Sequence, residues 1–421
     1  MNKLKKYRFS DLYEMSSGIS TTKEQAGHGS PFLSFGTVFK NYYIPDTLND
    51  LMDTNSEEQS TFSVKKGDIF VTRTSETPNE LAMSCVSLKD YPNATFSGFL
   101  KRLRPKKEKI TYDKFMAFYL RSNYFRKVIT NNTIMTLRAS FNEDMFSFLD
   151  LYLPNYDLQV KIGDFLFDIE EKIRTNNKIN DNLEHQIQTI YNYWFTQFEF
   201  PDDNCKPYKS TKGIMVYNNK LKKDIPFGWN VQSIASNVLT SIIKPGVDTF
   251  EQKVYLATAD VKGTTISSGT LIDYENRESR ANMQPTRNSV WFAKMKNSIK
   301  HLYFNKEMSS LYKHTILSTG FCGLQCDEIS FEYISSYISN EYFELHKDIL
   351  AHGATQEAVN NDDLENISIL IPSENIINKY HDITQPLYAQ ISKNICENQH
   401  LTKLRDWLLP MLMNGQATIE D

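Results

Sequence analysis

The chain is 421 residues long, 40% apolar and 23% charged, which is enough for two or three domains of about 150 residues with real cores and excludes disordered and collagen-like classes. No apolar run reaches the roughly 18 residues of a membrane-spanning helix, residues 1–10 lack the apolar centre of a signal peptide, and five scattered cysteines predict the reduced thiols of a cytoplasmic protein, not a disulfide framework. The net charge of −4 conceals 21 basic against 18 acidic residues in 1–157 and 16 against 19 in 210–375, so a uniformly basic nucleic-acid binder is excluded and any DNA contact must come from local patches or a partner.

Taken in order, the elements occur twice. Each half opens with Thr-, Tyr-, Phe- and Val-rich sequence containing short period-2 runs, such as 68–72 and 289–293, that predict strands. One amphipathic helix follows in each half, over 113–128 and 330–345. Next comes an apolar strand closed by proline, at Leu153-Pro154 and at Ile371-Pro372. The offset of 218 between those prolines also pairs Tyr119, Leu120, Tyr124 and Phe125 with Tyr337, Ile338, Tyr342 and Phe343, and Asn142 with Asn360. A slightly larger offset pairs Gly98-Phe99 with Gly320-Phe321, and Pro31-Phe32-Leu33 with Val254-Tyr255-Leu256. Matches in consistent order mark an internal duplication, with small loop insertions accounting for the drift.

A long helix closes each half. In the first, Ile162, Phe165, Ile169, Ile173, Asn176, Asn180, Leu183, Ile187, Ile190 and Trp194 recur every three or four residues, near the 3.5-residue period of a coiled-coil seam. The second repeats it with Tyr380, Ile383, Leu387, Ile391, Asn394, Asn398, Leu401 and Leu408. A helix of this length, about 60 Å at 1.5 Å per residue, cannot bury its stripe alone, and the other copy is its natural partner. Seam asparagines set register because a slipped pair leaves buried amides unpaired; the alternative is that they rotate to the surface. Pro410 is expected to end the second helix. The predicted fold is α+β: globular regions at 1–157 and 225–375, spacer helices at 158–200 and 376–413 paired antiparallel, a linker at 201–224 and a tail at 414–421.

Catalytic signatures are missing from the sequence. There is no phosphate-binding G-x-x-x-x-G-K-[ST] loop, no H-E-x-x-H, no Gly-rich dinucleotide turn and no Pro-Pro dipeptide, hence no Asn/Asp-Pro-Pro-aromatic loop of an amino-methyltransferase. Cys322 and Cys326 lie near His314 without a second ligand pair, and read as small buried residues more than as a metal site. Asp202 and Asp203 with Lys206 and Lys209 faintly resemble a nuclease carboxylate cluster. The chain therefore reads as a binder without catalytic or metal residues. Lys101, Arg102, Arg104, Lys106, Lys107 and Lys109 form the densest basic run, either a solvated hairpin end or a phosphate contact, and Arg121, Arg126 and Lys127 could extend it. Candidates for base reading are Arg73, Thr74 and Ser75 after the first strand run and Arg138 and Asn142 before the proline-closed strand. In the second half Lys294, Lys296 and Lys300 follow the Trp291 strand, matching Arg73 in the first, and Gln356 matches Arg138.

The stretch Lys172-Ile173, Asn176, Asn180, Leu183-Glu184, Ile190-Tyr191, Trp194-Phe195, Phe200-Pro201, Lys206-Pro207-Tyr208-Lys209-Ser210, Gly213-Ile214-Met215 and Ile225-Pro226-Phe227-Gly228-Trp229 resembles the central spacer of the specificity (S) subunits of Type I restriction-modification systems. Residues 404–416 resemble the family's C-terminus, and Gly67-Asp68-Ile69 and His352-Gly353-Ala354-Thr355-Gln356 its domain motifs. The second half departs at Asn288-Ser289-Val290, and the first at Met135-Thr136-Leu137-Arg138. The resemblance covers essentially the whole chain. It implies that each half reads one part of a split target in double-stranded DNA, while the helices set the distance. Two methyltransferase (M) subunits carrying S-adenosylmethionine would dock, and motor-nuclease (R) subunits using ATP and Mg would join for cleavage. No cofactor is implied on this chain, and no membrane. Two other readings stay open: a coiled-coil scaffold of a defence complex that does not read DNA, and a nuclease built on Asp202 and Asp203.

Overall fold

The two alternating runs become inner strands of two sheets with the same strand order. Ile69–Thr72 lies between Leu100–Pro105 and Ser84–Val86, with Tyr13–Ser17 beyond Leu100–Pro105. Ser289–Ala293 lies between Phe321–Cys326 and His301–Phe304, with Thr240–Ile242 beyond Phe321–Cys326. All these pairings are antiparallel. A parallel contact also recurs, Phe32 opposite Thr95 and Val254 opposite Thr315. The proline-closed strands pair back to the start of each half: Lys5–Arg8 with Asp150–Leu153, and Asn230–Ser233 with Ser368–Ile371.

This computed structural model describes residues 4–133, 138–354, 356–417 and 419. The chain divides into two units, Met1–Ile173 with His400–Asp421, and Arg174–Gln399. The α+β architecture expected from the sequence is present. The long helices Tyr156–Tyr191 and Glu374–Met413 each contribute one segment to each unit. Among the described residues no helix is long and apolar enough to cross a membrane.

Each expected amphipathic helix is two helices. Asp113–Tyr119 gives way to Asn123–Asn131, and Phe331–Ile338 to Glu341–Leu350. The breaks fall where a side chain competes for backbone donors: Ser122 Oγ accepts from Phe125 N at 3.3 Å, and Asn340 Oδ1 from Tyr342 N at 3.0 Å. Such residues start helices better than they continue them. The equivalent tyrosines tie these helices to the proline-closed strands. Tyr119 Oη accepts from Tyr152 N at 3.0 Å, and Tyr337 Oη donates to Ser368 O at 2.9 Å. The first long helix packs so closely on Asp113–Tyr119 that a Cβ on Gly163 would lie 2.6 Å from Phe115 N.

Two stripe positions differ from the sequence reading. Phe165 and Ile383, equivalent residues, are 37% and 46% exposed, while their neighbours Leu166 and Thr384 are buried. Here each helix packs on its own globular domain: Leu166 belongs to the same core as Phe115 and Phe118. A straight helix drifts from a 3.5-residue stripe, so the buried position moves by one. Pro410 does not end the second helix; helix continues to Met413 and contains Pro386 as well. The stop is Gly415, whose φ of +68° suits glycine, with Gln416 N bonded to Met411 O at 2.9 Å. Beyond the first long helix, Asn192–Thr196 forms a π turn. It turns Trp194 and Phe195 into the core of the second unit, against Tyr380, Tyr333 and Trp229, leaving Tyr193 exposed.

The seam asparagines bond across the helices. Asn176 Nδ2 donates to Asn398 Oδ1 at 2.9 Å and to Glu397 Oε2 at 2.7 Å. Asn394 Nδ2 donates to Asn180 Oδ1 at 2.8 Å, and Asn398 Nδ2 to Asn177 Oδ1 at 2.9 Å. The pairs 176–398 and 180–394 are equivalent under the repeat. Ile169, Ile187 and Ile391 are buried; Ile173, Leu183 and Leu401 are half-buried. Because Asn394 is buried, Asn180→Ala is expected to cost about 1–3 kcal/mol by orphaning its amide, and Asn180→Leu with Asn394→Leu to recover most of it. Denaturant unfolding of the single and double variants measures both.

Candidate nucleic-acid interface

The base-reading candidates of the first half gather at one end of its sheet. Beyond Thr72 the chain continues through Arg73 into Thr74–Ser75, which pairs with Ala139–Ser140. Two main-chain bonds frame Arg73: its N–H donates to Phe99 O at 2.9 Å, and its carbonyl accepts from Phe141 N at 2.8 Å. Arg73 is exposed, and Arg138 reaches Glu76 at 3.1 Å. Phe99 stands beside them 68% exposed, a large apolar group that sequence reasoning did not single out. Asn142 has a structural task, accepting from Met145 N at 2.9 Å to cap Glu143–Phe148. Glu143 is bound by Lys101 Nζ at 3.1 Å, and this bond, with the charges of Lys101 and Arg73, holds its carboxyl below the usual range.

The same frame recurs in the second unit with different side chains. Lys294 N donates to Gly320 O at 2.9 Å, and Lys294 O accepts from Val359 N at 3.0 Å. Met295 bridges to Ala358, and Lys296 Nζ meets Glu357 Oε2 at 2.8 Å. Gln356 is exposed nearby. Lys294, Lys296 and Gln356 are therefore brought together as Arg73 and Arg138 are. The frame also corrects one match. Phe99 corresponds to Gly320, and buried Leu100 to buried Phe321, one residue away from the pairing of Gly98-Phe99 with Gly320-Phe321. Strand register follows which residue faces the core, not side-chain identity. Exposed Arg280, whose carbonyl accepts from Thr319 N at 2.9 Å, joins this end of the second sheet. Lys300 Nζ is bonded to Thr258 O. Met135, Thr136, Leu137 and Thr355 lie outside the described residues.

The densest basic run is placed differently, largely inside the strand Leu100–Pro105. Arg102 is buried, donates to Ser63 O at 2.8 Å and lies over the Phe96 ring. Arg104 grips Asp68 with two bonds of 2.7 and 2.6 Å. Lys106 Nζ holds Ser10 O at 2.9 Å, whereas Lys107 is exposed. Arg121 donates to the carbonyls of Ser84, Val38, Phe39 and Asn41, and Arg126 to those of Asn79, Leu81 and Ala82. These cations bind the protein's own carbonyls and carboxylates, and the surface they were expected to form is not assembled. The apolar Leu100 and Leu103 flanking the arginines were the signal of a buried strand. Asp202 accepts from Asn204 N and Lys206 N, a turn that holds its carboxyl below the usual range. Cys322 and Cys326 are buried, and burial pushes both thiols up to about 12.

Residues 1–185 match the family described as Type I restriction modification DNA specificity domain. The chain is 24% identical to the MjaIX specificity subunit of Methanocaldococcus jannaschii, over 98% of this chain and 93% of that one. It is 22% identical to the HindI specificity subunit of Haemophilus influenzae, over 91% and 94%. The crystal structure of a Type I restriction-modification S subunit from M. genitalium shares the fold, with a TM-score of 0.56 at 14% identity over 98% and 96% of the two chains. Over nearly its whole length the chain is similar to specificity subunits of Type I restriction-modification systems. A specificity subunit is the non-catalytic, DNA-specifying component of its system.

The structure separates two kinds of arginine in this chain. Arg104→Gln is expected to destabilise the first unit by about 3 kcal/mol, because Asp68 is left buried without its cation. Arg73→Ala is expected to leave thermal stability unchanged and to weaken target binding. Unfolding curves and DNA-binding titrations of the two variants in the assembled complex check this.

Proposed function

We propose that the two units read the two parts of a bipartite target in double-stranded DNA, within the globular regions 1–157 and 225–375. What supports this most directly is the repeated frame with divergent side chains: Arg73, Phe99 and Arg138 in one unit, Lys294, Gly320 and Gln356 in the other. Arginine pairs with guanine and glutamine with adenine in the major groove, so one scaffold offers two different sets of readers. Contacts to phosphate position a protein without specifying sequence, and much of that task falls to the partners, given the near-neutral charge.

The paired helices set the distance between the two parts. Two M subunits dock on this chain, hold S-adenosylmethionine and methylate an adenine in each part. Adenine must leave the base stack to be methylated, and a fixed register on the DNA favours that step. R subunits supply the ATP- and Mg-dependent cleavage of unmethylated DNA in the cytoplasm.

Sequencing of methylated DNA from cells carrying the partner methyltransferase, with and without this chain, tests the reading. Methyladenine at a split motif is expected only when the chain is present, and replacing residues 1–157 by the corresponding region of a relative should change one half of the motif. If no motif depends on the chain, the DNA-reading role fails and a scaffold remains. A seven-residue insertion on the seam period in both helices adds about 10 Å. It is expected to lengthen the unread gap in the motif by about three base pairs, which the same sequencing reads.

A further inference from the structure

The second unit contains a cavity of about 480 Å³ that no part of the DNA-reading role uses. Asp181, Glu184 and Ile187 of the first long helix line one wall, and Ser339, Tyr303 and Tyr388 line another. The repeat supplies its counterpart in the first unit, and there the place is filled. Arg405 Nη1 bonds to Glu170 Oε2 at 2.7 Å. Arg121 binds four carbonyls close by. Both guanidiniums lie over the Tyr42 ring, at 5.6 and 5.1 Å from its centre.

The 218-residue offset converts Arg405 to Ile187, Arg121 to Ser339 and Glu170 to Tyr388. Tyr42 meets the edge strand through its carbonyl, which accepts from Val86; in the second unit Gly263 meets the corresponding strand, its carbonyl accepting from His301, two residues from Tyr303, the register equivalent of Val86. The two guanidiniums are thus replaced by an isoleucine and a serine, and the Glu170 carboxylate by a phenol. With both guanidiniums gone, a cavity lies between these residues, the Tyr388 ring standing in its lining where the first unit has Glu170. The wall gains negative charge as well: Asp181 and Glu184 stand where the repeat has the neutral Gln399 and Thr402.

Glu184 is poorly compensated. Thr264 Oγ1 donates to its carboxylate at 2.9 Å, while burial and then the charge of Asp181 push its carboxyl above the usual range. The charges behind the cavity are already committed to one another. Glu344 takes His301 Nε2 at 2.8 Å and the fully buried Lys347 Nζ at 2.5 Å. Burial opposes its charge, but these two bonds prevail and hold it below the usual range. Lys262 also lines the cavity and is exposed. The second unit therefore has the space for a guanidinium and carboxylates to receive it, in the place where the first unit uses its own arginines.

We propose that this cavity is a guanidinium site, taking either an arginine side chain presented by a partner protein or a free guanidinium compound, with Glu184 as the principal acceptor and Asp181 beside it. A planar guanidinium offers paired donors to a carboxylate and stacks on aromatic rings, which a compact ammonium does less well.

Thermal unfolding of the full chain, alone and in its complex, under titration with agmatine tests the site. A saturable rise in Tm is expected, with putrescine, which offers an ammonium in place of the guanidinium, at least about tenfold weaker. Glu184→Gln should abolish the rise while leaving the unliganded protein folded. Ile187→Arg, which installs the residue of the other half, should fill the site and also remove the response. No saturable rise with agmatine, equal responses to both amines, or an undiminished response in Glu184→Gln overturns the proposal. The source is read separately, by assembly with the methyltransferase. Weaker assembly of Glu184→Gln than of the unaltered chain assigns the site to a partner arginine, whereas unchanged assembly of that variant, with the agmatine response confined to the unaltered chain, assigns it to a free compound; both support the site. None of these readouts depends on DNA, so they stand or fall apart from the bipartite-target reading.

Discussion

The pairing of the two long helices is the constraint on which the rest depends. A helix of 36 or 40 residues with one apolar stripe has no stability of its own beyond propensity and needs a tertiary partner. The partner is the other copy, and the pairing uses amides as well as hydrocarbon. Asn176 meets Asn398 and Asn180 meets Asn394. Apolar side chains tolerate a shift of one heptad, whereas buried amides do not, because each displaced one loses a bond and stays desolvated. Register is thereby fixed by a few polar contacts, while most of the attraction comes from the isoleucines around them.

Much of this was legible in the sequence because it rests on periodicity. The 218-residue repeat led to two sheets of the same order, and the recurrence of Asn at equivalent stripe positions led to the seam. The errors occur where a local bond or a neighbouring domain overrides the period. Ser122 and Asn340 break helices whose apolar spacing runs on without interruption. Leu166 and Thr384 displace Phe165 and Ile383 from the buried face where the helix meets its own domain. Pro410 removes one N–H donor but does not end the helix, as Pro386 in its middle does not, and the stop falls at Gly415 with its left-handed backbone.

The candidate site was half legible, for a physical reason. Arg73, Arg138, Lys294 and Gln356 were located through their position after strands and through the repeat, both properties of the backbone. The basic run at 101–109 misled because charge density in sequence says nothing of direction. On a strand, alternate residues face opposite ways, and Arg102 and Arg104 turn to Ser63 and Asp68. Phe99 was missed because an aromatic between a glycine and a leucine reads as core until its 68% exposure is seen.

The frame around Arg73 and Lys294 is made of main-chain bonds, to Phe99 O and from Phe141 N in one unit, to Gly320 O and from Val359 N in the other. Those bonds are indifferent to side-chain identity. The buried charge that holds the sheet, Arg104 on Asp68, lies on different residues. On the proposed reading, stability and recognition are thus encoded at separate positions. A lineage can exchange residues at the frame one at a time without passing through an unfolded intermediate, so new specificities are open to neutral drift and to recombination between halves.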